Sequence, residues 1–444
     1  MSEFYRIEKP DLSKINITEL IPRIIEKEDI SKLVWKTSFP AYVAWNKFKY
    51  FKPSDNFSLE ELWAGVKFIR KLQSQKSVIK NENGEYFNWF NLPGLEQFFH
   101  EVDLNTGGNL SAFVKDIDER NKFKFISRGI VEEAIASSQL EGAHTTRQLA
   151  KEFLREGRKP RTEAEHMVLN NYRSMQTIEE KYKNKKIDLE TIFELHSMIV
   201  KNTIPDSEQH RFRTDQDEVV VADNEEKFIY FQPPKQEFVQ QEILRLIAFA
   251  NDELGEFFLH PVIKAIMIHF WIGYLHPFTN GNGRLARLLF YWYLLRRRYW
   301  AFAYLPISKI IRRSPIQYGN AYVYSEQDDL DLTYFIDYNI RKIKLAIKDF
   351  SKYLQDKSAE NKQMRKTAKA KYKLNDRQVQ LLQYYSNNQE EHTSIKMHMS
   401  IYQISRITAV RDLKELVNLG FIISRKAKKT AYYYGTPKIQ ELFI

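Results

Sequence analysis

The longest stretch of apolar residues without a polar face lies at Pro261–Leu275 (PVIKAIMIHFWIGYL), where Val262, Ile263, Ile266, Met267, Phe270, Trp271 and Tyr274 surround the whole circumference of a helix. Such a helix belongs in the middle of a domain. Residues 288–295 (LLFYWYLL) repeat the pattern and end in Arg296, Arg297 and Arg298, whose charges suit a helix C-terminus. Between these two predicted core helices lies a short polar loop, HPFTNGNGRLAR (276–287). A loop of Asn and Gly at the centre of a domain needs a reason, and a ligand supplies one.

The remaining patterns are mostly helical, so the predicted fold class is mainly α. Ser58 with Glu61 makes a capping box ahead of the stripe Leu62, Val66 and Ile69, which reads as a surface helix over 58–71. Turn residues and aromatics follow over 81–104, with a helix expected near 96–102. Ile126, Ile130, Ala134, Ser137 and Glu141 keep helical spacing until Gly142, which places a helix at about 123–142. Residues 188–200 form a clear amphipathic helix. Two apolar runs, 218–222 and 228–231, flank a polar turn and read as a β-hairpin closed by Pro233 and Pro234. Residues 332–353 read as one long helix. Residues 356–374, rich in Lys, Ala and Gln with almost no apolar stripe, read as a linker or a solvated helix.

Beyond that linker the pattern changes. A helix with Val379, Leu381, Leu382 and Tyr385 is followed by a short one around 394–402. Another starts at Ser405 and stops at Gly420. Two strands at 421–424 and 431–434 then enclose the basic loop Arg425-Lys-Ala-Lys-Lys429.

Composition sharpens this division. The chain has 444 residues, 43% hydrophobic and 14% aromatic, enough for two or three packed domains. There is no Cys, which excludes disulfides and thiolate metal sites. No apolar run reaches a membrane span and no signal segment is visible, so a cytoplasmic location is expected. The net charge is +11, and residues 361–444 hold 16 Lys and Arg against 6 Asp and Glu. The last fifth of the chain thus carries nearly all the excess. That points to nucleic acid as its partner, with solubility as the plainer alternative.

The chemistry available in the 276–287 loop follows from residue types. Gly281 and Gly283 let successive N–H groups point into one concavity, and Asn282 between them can start a helix. A helix N-terminus is an anion site. Arg284 and Arg287 are three apart and share a face, as needed to grip two phosphates. His276, on the opposite lip, can take a proton from a hydroxyl. Phe278 reads as a plug into the core.

The loop resembles the signature of Fic-domain enzymes, HPFx(D/E)GNGRxxR, which move AMP from ATP to a protein hydroxyl. It matches at every position except Asn280, where the family has an acid that helps hold Mg²⁺. An Asn carbonyl is still a hard oxygen donor without the charge. Ser137, Glu141 and Gly142 resemble the family's inhibitory motif (S/T)xxxE(G/N), whose Glu pairs with the second arginine, here Arg287, in the space of the ATP γ-phosphate. The segment EGAHTT and Asn170-Asn171-Tyr172 also resemble the family. The 218–231 hairpin corresponds to a flap that clamps a target segment by strand addition. Gln317 to Ala321 resembles the place where the family closes over the base. Residues 375–444 resemble a winged helix-turn-helix domain, with Arg406, Thr408 and Arg411 offered to a DNA groove and the loop lysines to phosphate.

The resemblance implies a helical extension over 1–119, a Fic catalytic domain over 120–355, a linker over 356–374 and a winged helix over 375–444. It implies an autoinhibited adenylyltransferase using ATP and Mg²⁺. His276 would be catalytic; Gly281, Asn282, Gly283, Arg284 and Arg287 would hold phosphates; Asn280 would hold metal; Ser137 and Glu141 would inhibit. Removal of AMP is a second activity of the family. The competing reading is a DNA-binding regulator whose core senses nucleotide. A target protein, DNA and a second copy of the chain are the partners this organisation admits.

Overall fold

The computed structural model describes the chain except residues 1–2, 40, 53–55, 107–118, 157–158, 223–226, 256–257, 388–391, 428–429 and 444. It divides into two compact units, residues 1–346 and 347–444. Both are mainly helical, with three small sheets among the described residues. No helix among the described residues is long and apolar enough to cross a membrane.

The first unit is built around the two apolar helices, Pro261–Leu275 and Asn282–Arg296, which pack along each other. Every residue of the first is buried except Gly273. It starts at His260, whose ring accepts a hydrogen bond from the Val262 N–H at 3.2 Å, with Pro261 in the first turn where a missing N–H costs nothing. The helix Glu119–Leu140 crosses nearby. Its Gly129 lies so close to the 303–304 backbone that a Cβ would come within 2.5 Å of the Ala303 carbonyl oxygen. Glu163–Thr177 and Leu189–Val200 complete the packing around the loop.

The helix Leu59–Gln73 has the capping box expected at Ser58 and Glu61. It is no surface helix, however: Leu62, Trp63, Ala64 and Val66 are buried in a core with Leu20, Ile24, Val34, Trp45 and Phe48. A second departure follows it. Gln75–Lys80 and Tyr86–Trp89 pair as an antiparallel hairpin. Its turn is closed by Asn81, whose side-chain oxygen accepts from the N–H groups of Asn83 and Glu85, with Gly84 at φ 80°. The Asn-Glu-Asn-Gly turn was legible, but its strands carry too little alternation to announce themselves.

The expected flap pairs Val221–Ala222 with Phe228–Phe231; the turn between them lies outside the described residues. A third strand joins it. Glu3–Phe4 runs parallel to Phe228–Phe231 on its other side, and the Tyr5 N–H donates to the Ile229 carbonyl at 2.8 Å. One edge of the hairpin is therefore already covered by the chain's own N-terminal residues.

The helix Thr333–Tyr372 runs unbroken from the first unit into the second. The second unit contains Asp376–Asn387, Ile395–Tyr402 and Arg406–Asn418, and a sheet with Thr430–Gly435 between His392–Ser394 and Ile422–Ala427. The sequence pattern did not announce the strand His392–Ser394. Met364, Leu382, Tyr385, Leu413, Leu416 and Phe421 form the core. Asp412, buried, is held by Arg377 at 2.7 Å, by Asn375 at 2.9 Å and by His398 at 3.4 Å. Lys428 and Lys429 of the basic loop lie outside the described residues.

Candidate active site

The polar loop is shaped by groups that fasten its backbone. His276 ends the Pro261–Leu275 helix in the left-handed region at φ 46°. Its carbonyl accepts from Arg213 Nε at 2.7 Å, and the Pro277 carbonyl accepts from the Arg213 N–H at 2.9 Å. Asn282 ties the loop to itself: its side-chain oxygen accepts from the Phe278 N–H at 3.0 Å and its amide donates to the Phe278 carbonyl at 2.8 Å. Phe278 is fully buried and stacks on His196 at 3.6 Å between ring centroids. His196 Nε2 lies 2.9 Å from the Asn280 carbonyl, and burial pulls its pKa down to about 4. It is therefore neutral and donates from that nitrogen. Gly281, at φ 81°, opens the next helix where a Cβ would come within 2.7 Å of Val200.

The two loop arginines point into the protein. Arg284 donates to the Ile199 carbonyl at 3.0 Å and to Asn280 Oδ1 at 3.1 Å. Arg287 donates from Nε to Ser137 Oγ at 2.8 Å, and from Nη2 to the Ser137 carbonyl at 3.0 Å and to Glu141 Oε1 at 2.9 Å. Glu141 stands just past the end of the Glu119–Leu140 helix, with Gly142 at φ 89° behind it. Its carboxylate lies against Gly283, where a Cβ would come within 2.2 Å of Oε1. Only Gly permits that approach. An anion thus already sits on the N-terminus of the Asn282–Arg296 helix, where the orphan N–H groups and the helix dipole favour negative charge. Burial pushes the Glu141 carboxyl up, but the charges of Arg287 and Arg284 outweigh burial and hold it below its ordinary value.

Residues 186–294 match the family model described as Fic/DOC. This stretch is a Fic domain. The protein adenylyltransferase fic-1 of Caenorhabditis elegans is 34% identical over 104 residues, which are 23% of this chain and 18% of that relative. The protein adenylyltransferase Fic of Nematostella vectensis is 32% identical over 114 residues, 26% of this chain and 24% of that protein. The chain therefore spans about a quarter or less of the curated relatives it matches. A crystal structure of a Fic family protein from Desulfovibrio desulfuricans covers 78% of this chain and 95% of its own, at 16% identity and a TM-score of 0.48.

His276, Glu141, Gly283 and Arg287 line one cavity of about 560 Å³, bordered by the hairpin strands Val221–Ala222 and Phe228–Phe231 and by the helix Pro315–Gln327. Asn280, Gly281, Asn282, Arg284 and Ser137 do not line it; Asn282 and Arg284 brace the loop, and Ser137 holds Arg287. Burial lowers the His276 pKa, and its Nδ1 lies 3.2 Å from the Gly273 carbonyl, which leaves Nε2 as the free base.

Asn280 does not present a ready metal ligand. Its side-chain oxygen is bonded to a guanidinium, and among the described residues no group of three or more His, Cys, Asp or Glu could hold a metal ion. Mg²⁺ held with a nucleotide takes most of its ligands from phosphate and water, and Asn280 could reach it only by sharing or giving up its bond to Arg284.

Sequence reasoning missed His196 and Arg213. His196 occupies an ordinary position of an amphipathic helix, and Arg213 lies in a stretch read only as a lead-in to the hairpin.

Proposed function

We propose that the Fic domain transfers AMP from ATP to a Ser, Thr or Tyr hydroxyl of a protein, and that Glu141 keeps it silent. His276 Nε2 takes the hydroxyl proton, the oxygen attacks the α-phosphorus, and the bond to the β-phosphate oxygen breaks as pyrophosphate leaves. Arg287 holds the γ-phosphate once Glu141 withdraws, and the N-terminal turn of the Asn282–Arg296 helix receives the α- and β-phosphates where Gly283 opens onto the cavity. Arg284 braces the loop and adds positive charge behind it. The relatives named protein adenylyltransferase support this reading. The observation that carries it is the Glu141 carboxylate lying on Gly283 and bonded to Arg287, in the cavity that also holds His276. It occupies a triphosphate site with an internal anion.

The same placement supports removal of AMP as a second activity, because a water between Glu141 and His276 would have a base on each side. The target segment is proposed to add along Val221–Ala222, the hairpin edge not covered by Glu3–Phe4. The second unit is read as a winged helix that binds DNA, on the strength of Arg406 and Arg411, both exposed on the Arg406–Asn418 helix. The test is labelled ATP added to the purified chain and to its Glu141→Gly variant. Labelled protein from the variant, and its loss when His276 is also replaced, is the expected result. No label from either favours a nucleotide-sensing regulator.

A further inference from the structure

The hairpin beside the cavity has little of its own to hold it in place. Its strand residues, Val221, Ala222 and Phe228–Phe231, are all only half-buried. A two-stranded ribbon without a buried face is marginal in water. One end of the strand Phe228–Phe231 rests on the core helix Pro261–Leu275, where Phe231 packs on Tyr274 at 5.6 Å between ring centroids. The other end, next to the turn, meets the segment 3–7. There the Glu3 N–H donates to the Lys227 carbonyl at 3.0 Å and the Tyr5 N–H to the Ile229 carbonyl at 2.8 Å. The Tyr5 ring lies 6.4 Å from that of Phe228 and 5.1 Å from that of Tyr230.

Past Tyr5 the segment leaves the sheet but keeps its hydrogen-bonding pattern. Gln327 donates from Nε2 to the Tyr5 carbonyl at 3.0 Å and accepts at Oε1 from the Ile7 N–H at 2.9 Å. In a parallel ladder a residue bonds its neighbour in the same way, through the carbonyl before and the N–H after the residue opposite. One amide side chain thus extends the ladder by a residue. Gln327 ends the helix Pro315–Gln327, whose Tyr318, Tyr322 and Glu326 line the cavity. The segment therefore ties two walls of the cavity together, one by backbone and one through a side chain.

We propose that residues 3–7 and Gln327 form a brace that positions the hairpin and holds its Val221–Ala222 edge ready for an extended, hydroxyl-bearing segment of a target protein. The choice of partner rests on the transfer reading above, whereas the brace stands on the hydrogen bonds alone. Two observations make the segment a brace and not a strand waiting to be displaced. It runs on into packed structure, with Glu8 paired to Lys49 and with Leu12 and Ile15 against the core of Leu20, Ile24 and Trp63. Among the described residues no strand pairs along the outer side of Val221–Ala222, so an incoming strand has an edge without removing this one.

Hydrogen–deuterium exchange on the full chain reads the brace without any transfer. In Gln327→Ala, peptides covering 218–232 should exchange about tenfold faster, the loss of one or two hydrogen bonds. Peptides covering the other hairpin, Gln75–Trp89, should keep their rate. Gln327→Glu keeps the shape but sets a carboxylate oxygen against the Tyr5 carbonyl, and it should loosen the hairpin as much. Calorimetric ATP binding to the Glu141→Gly chain should not change when Gln327→Ala is added, because Gln327 does not line the cavity. With casein as acceptor probe, labelling by that double variant should fall at limiting casein and recover at high casein. Unchanged exchange at 218–232 overturns the proposal, as does equal quickening of both hairpins, which is general loosening. A Glu variant that exchanges like the wild type beside a faster Ala variant overturns the amide pairing. Lost ATP affinity, or a fall in labelling that high casein does not restore, overturns the positioning role. If Gln327→Ala does not fold, Tyr5→Ala decides on the same peptides. A Glu141→Gly chain that neither binds ATP nor labels casein removes the transfer reading, and the exchange result still decides the brace.

Discussion

The helices Asn282–Arg296 and Arg406–Asn418 both follow a short polar turn and both carry two arginines near their start. In the first, Arg284 and Arg287 are 1% and 3% exposed, and Ser137, Glu141, Asn280 and the Ile199 carbonyl accept from them. In the second, Arg406 and Arg411 are exposed, and no hydrogen bond or ion pair among the described residues holds them. The buried acid of that helix, Asp412, is bound by Arg377 of another. A buried guanidinium must be paired, because leaving it alone costs several kcal/mol. Any anion reaching Arg287 must therefore displace an internal partner, whereas one reaching Arg406 displaces only water. On the reading proposed above, the first helix carries a gated site and the second an open one.

Breaking the gated site at its chemical end should have the largest effect. In the Glu141→Gly chain, replacing His276 should lower transfer by about 10²–10⁴-fold while ATP binding stays nearly intact. Asn is the better replacement, because His276 sits in the left-handed region, which Asn tolerates and Ala does not. Binding and transfer falling together would make His276 a structural cap.

Opening the gate is the next effect in size. Glu141→Gly removes the anion from Arg287 without touching the loop, and a coupling of about 1–3 kcal/mol corresponds to a gain of roughly 5- to 150-fold in ATP affinity or labelling. Glu141→Gln keeps the shape and weakens the ion pair, so it should fall between the two. Equal ATP affinity and equal labelling by wild type and Glu141→Gly at sub-saturating ATP would end the autoinhibition reading.

The acid limb of the pH profile gives a third measure, of about tenfold per pH unit. Burial lowers the His276 pKa below 6.5. The neutral base therefore persists at pH 6.5, and kcat/KM of the Glu141→Gly chain should fall only at lower pH. The sign follows from proton binding: a group whose folded pKa is depressed takes up its proton later than in the unfolded chain. A limb centred above 6.5 would assign the base to another group.

What was legible before the structure was the gated half. The two apolar helices and the loop between them carry their own periodicity. The Ser137–Glu141 spacing puts both on one helical face, but the pairing of Glu141 with Arg287 was expected only from the resemblance to the family. The residues that brace the loop were not legible. His196 and Arg213 act on backbone carbonyls at 280 and 276, and no pattern in a sequence marks a side chain that reaches a distant carbonyl. The hairpin Gln75–Lys80 and Tyr86–Trp89 escaped because one face of a short two-stranded ribbon gives only two or three apolar positions.

The smallest expected effect tests the open site. Replacing Arg406 and Arg411 together by Ala removes two exposed side chains with no internal partner, so the melting of the second unit should move by no more than about 0.5 kcal/mol. Arg377→Ala is the contrast. It takes the closest cation from a buried carboxylate that keeps Asn375 and His398, and should cost about 1–3 kcal/mol. If Arg406 and Arg411 meet DNA phosphates, the double variant should also flatten the dependence of DNA retention on salt, by about one unit of log–log slope for each phosphate left unneutralised. The wild type and the double variant are compared on the same duplex from low to physiological ionic strength. Retention that ignores salt, or a slope that does not change, would make the exposed arginines a solvated face. The exposed Ile407 beside them, 81% accessible, would then be the better guide to a protein partner.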